Sequence, residues 1–464
     1  MSAIAAPSLK RSSITQRDFR TGAIAEYHGL LEQESVLGVT LAELRGAMLK
    51  RRLIYGGRPI GVALRPHFLT RKQFGRLARR AELIAAAMEK LAAAAVESPA
   101  LMKRLGLNET EQRLAAVDPG FSRATVTSRM DGFVHGDDIK FVEYNAENPS
   151  SLSDQEGLNR VLFQLPAMSI FAERYQLDQF SPTQKLLGTL LSAFREWGGG
   201  GVPNIAIVDW KNLPTANEFV LLREHFAARG VSTIICSPDE LDYDGRRLRC
   251  GNFDIDLVYK RLLIHEFIDR SDENHSLVRA YIDRRVCVVN PFRCKLLHKK
   301  ASFELLTDER FRGWFRPSEN EAIRLSIPWT RRLSERRTKY HARSIDLLEF
   351  VRRNRERLVL KPNDDYGGHG VYLGAHLDER AWHEAVEIAL SNDYVVQEAV
   401  DLHQEEFPIF GDAEWKLQPM FVDTNPFLFS GKVCGAMVRL SHSPIVNVTS
   451  GGGETGFFVI NDAA

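Results

Sequence analysis

Between Gly201 and Asp269 the chain alternates in a way that few folds accommodate. Ile205-Ala-Ile-Val is a short apolar run of buried-strand length, and Glu218 to Gly230 has the composition of a helix. Ser232-Thr-Ile-Ile-Cys then reads as a second strand and Leu257-Val-Tyr as a third. Strand, helix and strand at this spacing imply a parallel sheet with right-handed crossovers. A dinucleotide-binding sheet would carry Gly-x-Gly-x-x-Gly after its first strand, whereas Asp209-Trp210-Lys211-Asn212 stands there, which disfavours a dinucleotide.

The flanking regions follow other patterns. Residues 40 to 117 carry helical periodicity, first through Leu41, Leu44, Met48 and Leu53, then through the Ala-rich run from Lys72 to Val96, which reads as a packed helix. Between them Ile60 to Pro66 reads as a short strand. After residue 300 the order is helix, loop over 311 to 340, helix, and then strands from Leu358-Val-Leu-Lys to Ile460, an α+β pattern. At 464 residues the chain has room for about three domains, or for a large two-domain enzyme.

Charge and cysteine content narrow the functional classes. Sixty-one Lys plus Arg against 60 Asp plus Glu leave a net charge of +1, so no global field attracts nucleic acid or an anionic membrane. The segment Arg331 to Lys361 holds 11 basic and 4 acidic residues, and reads as the solvated face of a helix rather than a nucleic-acid surface. The most apolar stretch, Leu83 to Val96, is broken by Glu89 and Lys90 and falls short of the ~18 residues of a membrane span. No apolar run follows Lys10 and Arg11, so no secretory signal is expected and the cytoplasm is the expected location. Cys236, Cys250, Cys287, Cys294 and Cys434 include no Cys-x-x-Cys pair, which points to reduced thiols rather than disulfides or zinc.

Chemistry concentrates in two segments. In the first, Arg129-Met-Asp131 precedes Glu143-Tyr-Asn145, with the turn signal Gly136-Asp-Asp between them. A hairpin there sets Asp131 beside Glu143 and Asn145, and the two-residue period of a strand sends Glu143 and Asn145 to one face. Two carboxylates and a carboxamide oxygen are hard ligands suited to magnesium. Arg129 shares the face of Asp131, where a guanidinium would stabilise a transferring phosphoryl group. A salt-bridged surface hairpin satisfies the same spacing. In the second segment an apolar strand delivers Lys361, and a loop with Gly367, Gly368 and Gly370 follows. Such a loop can lay backbone N–H groups on phosphates, or form an ordinary hairpin turn. Its Asp364 and Asp365, with three glycines, suit a mobile lid over 363 to 370.

Together these segments resemble the ATP-grasp superfamily, and within it the circularly permuted, glutathionylspermidine synthase-like proteins. In ordinary members the phosphate-binding lysines and adenine hinge precede a metal-binding Glu-x-Asn. Here Glu143-Tyr-Asn145-Ala-Glu-Asn-Pro comes first, the order of a permuted chain. The resemblance implies an α/β (α+β) ATP-grasp fold with a Rossmann-like parallel-sheet domain. It divides the chain into residues 1–200 (helices and the permuted magnesium-binding part), 201–290 (Rossmann-like β-α-β) and 291–464 (nucleotide-binding part).

The resemblance also assigns roles. Asp131, Glu143 and Asn145 would hold one or two Mg2+ ions, and Arg129 and Arg439 would meet the reactive phosphate. Asn290-Pro-Phe with Lys299-Lys300-Ala is similar to the stretch supplying the first phosphate lysine, assigned to Lys300 with Lys299 as rival, and Lys361-Pro to the second. Gly367, Gly368 and Gly370 would cover the phosphates. Val395-Val-Gln397-Glu398-Ala399-Val400 is similar to the hinge whose backbone reads adenine. Gly435-Ala-Met-Val-Arg439 with Asn447-Val-Thr-Ser-Gly-Gly-Gly resembles the late strand. The family's Gly-Arg-Glu-Gly loop is replaced by Tyr366-Gly-Gly-His-Gly370. The implied activity is ATP-dependent joining of a small-molecule or peptide carboxylate to an amine through an acyl phosphate. A phosphotransferase using the same nucleotide site and a non-catalytic ATP-binding protein are the alternatives.

Overall fold

The computed structural model describes residues 16–33, 41–411, 414–448 and 451–462; Lys10, Arg11, Thr449 and Ser450 lie outside them. The hairpin around Gly136 and Asp137 forms from β1 (Thr127–His135) and β2 (Asp138–Asn145). The β-α-β region gives β3 (Ile205–Val208), β4 (Thr233–Cys236) and β5 (Leu257–Lys260), joined by β6 (Cys287–Val289), a short run that the sequence reading passed over. These four strands are parallel, in the order β6-β5-β3-β4. Helix Ala216–Ala227 connects β3 to β4 and buries Phe219, Leu222 and Phe226, the apolar stripe at helical spacing.

A smaller antiparallel sheet contains β7 (Thr330–Arg332), β8 (Leu358–Pro362) and β9 (Tyr394–Glu398), with β9 in the middle. Helix Glu379–Ser391 covers it through the fully buried Trp382. The largest sheet uses β10 (Gln404–Phe410), β11 (Trp415–Phe429), β12 (Lys432–Ser441) and β13 (Gly453–Thr455). It runs β13-β12-β11-β1-β2, with β10 also on β11. Segments more than 280 residues apart in sequence therefore share one sheet. The same closure recurs where His67–Thr70 pairs in parallel with Phe457–Asp462. Helix Arg71–Val96, started by a Thr70/Gln73 capping box, packs Leu77, Ile84, Met88 and Leu91 into the core beneath the large sheet.

Three local expectations change. Ile60 to Pro66 is not a strand: it makes only the isolated bridges Gly61–Glu454 and Ala63–Ile409. The stretch 311 to 340 is not a loop, since it holds helix Pro317–Ser326, β7 and strand Arg337–Tyr340. Pro317 at the first helical position and Glu319 two residues on marked that helix. The basic segment 331 to 361 is not one helix face; it spans β7, a hairpin with Arg343–Asp346, a short helix and β8. Among the described residues the five cysteines are unpaired, and no helix is long and apolar enough to cross a membrane.

Candidate active site

The face of the large sheet carries a ladder of charges set by register. Asp131 lies opposite Glu143 and Arg129 opposite Asn145 on β1 and β2, Asp423 opposite Arg439 on β11 and β12, and Arg439 opposite Glu454 on β13. The hairpin thus brings together the four residues expected from their spacing. A bulge follows Asp131, where the Gly132 N–H donates to Asn425 Oδ1 at 2.9 Å. A Cβ at Gly132 would lie 2.7 Å from the Phe141 ring, so the bulge admits only glycine. Asn290 pins both hairpin ends: its Oδ1 accepts from Val126 N and Thr127 N at 2.8 and 2.9 Å, and its Nδ2 donates to Thr127 O, Ala146 O and Glu147 O at 2.7 to 2.9 Å.

Asp131 is nearly surrounded. Its Oδ1 accepts from Arg129 Nε at 2.8 Å and Asn145 Nδ2 at 3.0 Å, and its Oδ2 from Arg439 at 2.8 Å. Burial would raise its pKa, but Arg129 and Arg439 override this and hold the carboxyl well below its ordinary value. Arg439 also donates to Asp423 at 2.9 Å; despite burial, Asp131 and Asp423 keep it firmly charged. Glu143 stands freer, with Lys300 Nζ 3.3 Å away.

Lys300 and Lys361 reach the same cleft from the other side. Lys361 projects from β8 and donates to Gln397 Oε1 at 2.7 Å and Val142 O at 3.3 Å; Gln397 in turn donates to Thr330 Oγ1. Burial lowers the Lys361 pKa to about 8, opposed by Glu143 and reinforced by Lys300. Lys300 donates to Asp365 O at 2.6 Å. Lys299 faces away, its Nζ 2.6 Å from Asp364 and 3.1 Å from Glu111, and it is not part of the cleft wall.

The cleft holds about 820 Å³ and its lining includes Arg129, Asp131, Glu143, Asn145, Lys300 and Lys361. That volume suits a nucleotide with an acceptor beside it. Residues 397–400 form another edge. There the Glu398 N–H is spent on Trp329 O and the Ala399 N–H on Arg357 O, each at 2.8 Å, so the expected hinge is narrower in donors than its sequence suggested. The Glu398 carboxylate accepts from Tyr340 OH at 2.7 Å. Gly367 and Gly368 line the cleft at φ +71° and +77°, and Gly367 O accepts from Asn447 Nδ2. Gly370 does not line it: a Cβ there would meet Tyr394 OH at 2.6 Å, so this glycine serves the turn.

The loop is also less free than expected. Asn363 is fully buried, its Oδ1 accepting from Ala301 N and its Nδ2 donating to Leu105 O and Asp393 Oδ2. Asp364 is clamped by Lys295 and Lys299, each 2.6 Å away. Burial opposes its ionisation, yet the two lysines hold its pKa far below normal. Sequence reasoning overlooked Asp423, Asn425, Glu454 and Asp154. Asp423-Thr-Asn425 repeats the acid-x-Asn pattern of Glu143-x-Asn145 and could have been found by it.

No family model matches the chain. A Frankia casuarinae protein provisionally named glutamate–cysteine ligase 2-2 is 36% identical over 114 residues, 23% of this chain and 13% of the relative's length. The chain therefore matches only a small part of that protein. A glutathione synthetase-like effector from Globodera pallida, solved without ligand, superposes with a TM-score of 0.57 at 14% identity, over 90% of this chain and 96% of that one. The chain shares that fold. A Methylobacillus flagellatus structure provisionally named gamma-glutamylcysteine synthetase superposes at 0.40 with 14% identity, over 82% and 86% of the two chains, too loosely to argue from.

Proposed function

We propose that this chain is an ATP- and magnesium-dependent carboxylate–amine ligase acting through an acyl phosphate, on a circularly permuted ATP-grasp fold of the glutathionylspermidine synthase-like kind. The observation that carries the reading is the convergence of Arg129, Asp131, Glu143, Asn145 and Arg439 from one sheet with Lys300 and Lys361 from across the cleft. The fold shared with the glutathione synthetase-like effector and the local identity to a protein named as a glutamate–cysteine ligase support amide chemistry.

The donor set fits magnesium. Glu143 and the Asn145 carbonyl oxygen are hard donors on the cleft wall, and Asp131 joins them by trading one arginine contact, since its present partners occupy most of its lone pairs. When bound, the metal neutralises phosphate charge. The chain's own residues do the rest. Lys300 and Lys361 hold the α- and β-phosphates, and Gln397 fixes the Lys361 ammonium. Arg439 keeps Asp423 and Arg129 keeps Ser150 O when Asp131 gives up a contact, so both guanidiniums stay held facing the transferring phosphoryl group. The substrate carboxylate oxygen attacks the γ-phosphorus, the bond to the β,γ-bridging oxygen breaks, and ADP leaves. An amine then attacks the acyl carbon and expels phosphate. Positioning and electrostatics carry such a transfer, so no side-chain nucleophile is required.

The test is a mass-spectrometric screen of amino acids, peptides and polyamines with ATP and magnesium. A condensed product with ADP and phosphate is expected. A stable phosphorylated acceptor would replace the ligase by a phosphotransferase, and absence of magnesium-dependent ATP binding would overturn the nucleotide reading altogether.

A further inference from the structure

Next to Arg439 the sheet carries a carboxylate that phosphoryl transfer does not use. Glu454 is 1% exposed; its Oε1 accepts from Ser151 Oγ at 2.8 Å, and its Oε2 has no partner among the described residues. Asp154, in the first turn of helix Leu152–Phe163, lines the same cleft and leaves Oδ1 unpartnered. A third acid, Glu218 of helix Ala216–Ala227, is already engaged: it accepts from Leu152 N at 2.7 Å and lies 3.4 Å from Arg261. Two buried acceptor oxygens on separate elements are thus left without a partner in residues that line one cleft, a costly state that a donor ligand would relieve.

The ligand that suits them donates only. An ammonium has three N–H donors, no acceptor and the complementary charge. The cluster Glu147, His298 and Asp364 makes the contrast: there Lys295 lies 2.9 Å from Glu147 and 2.6 Å from Asp364 and already supplies the cation. No protein cation contacts Asp154 or Glu454 in that way among the described residues. Because Glu454 is the register partner of Arg439, a ligand here sits beside the position where the phosphoryl group is transferred.

We infer that Asp154 and Glu454 form the subsite that receives the acceptor amine as its ammonium, with Glu454 taking the proton that must leave before the nitrogen can attack. The inference rests on the ligase reading above. In the balanced step R–NH3+ gives one proton to the Glu454 carboxylate. The freed lone pair forms the C–N bond, the C–O bond to phosphate breaks, and the second nitrogen proton leaves with the phosphate. Burial pushes Glu454 up to about 7, with Ser151, Arg439 and Arg129 opposing and Glu218 adding, so it accepts a proton near neutrality. Burial, then Glu218 and Glu454, raise Asp154 as well.

The experiment is an NMR titration of the full chain, saturated with Mg·AMP-PNP, with n-butylamine, using 1-butanol as the uncharged control and an indicator dye for released protons. Butylammonium should bind in the millimolar range and butanol should not. Binding should weaken at least tenfold in both Glu454→Gln and Asp154→Asn. Because an adjacent cation favours the ionised carboxylates, wild type should release part of a proton at pH 7, and Glu454→Gln should release less. Equal binding of the alcohol, or unchanged butylamine affinity in Asp154→Asn, overturns the subsite even if Glu454→Gln fails to fold. Nucleotide binding without amine binding overturns the subsite alone. Amine binding with these losses but no nucleotide binding overturns the ligase reading and leaves the ammonium site standing.

Discussion

On the proposed reading, in which Lys361 meets a nucleotide phosphate, nucleotide binding depends on pH through this one lysine. Its pKa falls from 10.5 to about 8, first through burial and then through Lys300, with Glu143 opposing. About nine-tenths of the molecules then carry the ammonium at pH 7 and about one-tenth at pH 9. Nucleotide phosphates favour the charged form, so the complex should take up about half a proton at pH 8 and almost none at pH 6.5. The apparent Kd of Mg·ADP should rise about tenfold between pH 7 and 9. Calorimetry in two buffers of different ionisation enthalpy reads both quantities. Lys361→Met should bind more weakly at pH 7 and lose both the slope and the proton uptake. The sign reverses for stability of the free protein. The folded pKa lies below the unfolded one, so between pH 8 and 10.5 the unfolded chain holds more protons and the contribution of Lys361 to stability rises with pH. A flat affinity from pH 7 to 9, or proton uptake that survives in Lys361→Met, would refute the placement of this cation against phosphate.

Glu143→Gln should weaken the magnesium dependence of nucleotide binding and lower turnover, while loss of a partly buried carboxylate whose ion pair is with Lys300 at 3.3 Å changes melting little; unfolding with normal specific activity would return the hairpin to a purely structural role. Asn290→Ala strips partners from buried backbone groups at both hairpin ends and should cost roughly 2–4 kcal/mol in urea unfolding, whereas a loss under 1 kcal/mol would mean that the hairpin is held elsewhere. Gly368→Val meets Ile445 at 2.9 Å and a φ of +77°, and should raise the ratio of ATP hydrolysed to product formed. Hydrogen exchange should be slow at 363 and 364 with or without nucleotide and should slow at 366–370 only when Mg·ATP is added; equal protection across 363–370 in both states would remove the lid.

The site was legible in the sequence where local rules determine geometry. A short turn at Gly136 and Asp137 fixes which residues face each other, and the strand period does the rest, so Asp131, Glu143, Arg129 and Asn145 could be placed on one face before any fold was known. Nothing local places Arg439 there. It arrives through a sheet joining residue 131 to residue 439, and only the resemblance to permuted ATP-grasp proteins suggested it. Glu454 stayed hidden for the same reason: it is an ordinary alternating strand residue until the register sets it beside Arg439, whereas Asp423 carries a visible acid-x-Asn pattern. The helix at Pro317 differs, because its Pro and capping Glu are local signals present in the sequence itself.

Adjacent like charges show a harder limit. Lys299 and Lys300 differ by one position, yet one is spent on Asp364 and Glu111 while the other faces Glu143 and the cleft. Asp364 and Asp365 divide likewise, Asp364 gripped by Lys295 and Lys299, Asp365 offering only its carbonyl to Lys300. Read as a sequence, the two aspartates look like mutual repulsion in a mobile loop. In the fold the first is compensated by two buried lysines, and that ion pairing anchors the loop at its base. Whether a charge marks a mobile lid or a fixed root is therefore decided by the side chain that meets it, here 65 to 69 residues away. Freedom is left to the glycines beyond Asp365, where positive φ and close approach to Ile445 and Asn447 give the loop its shape over the cleft.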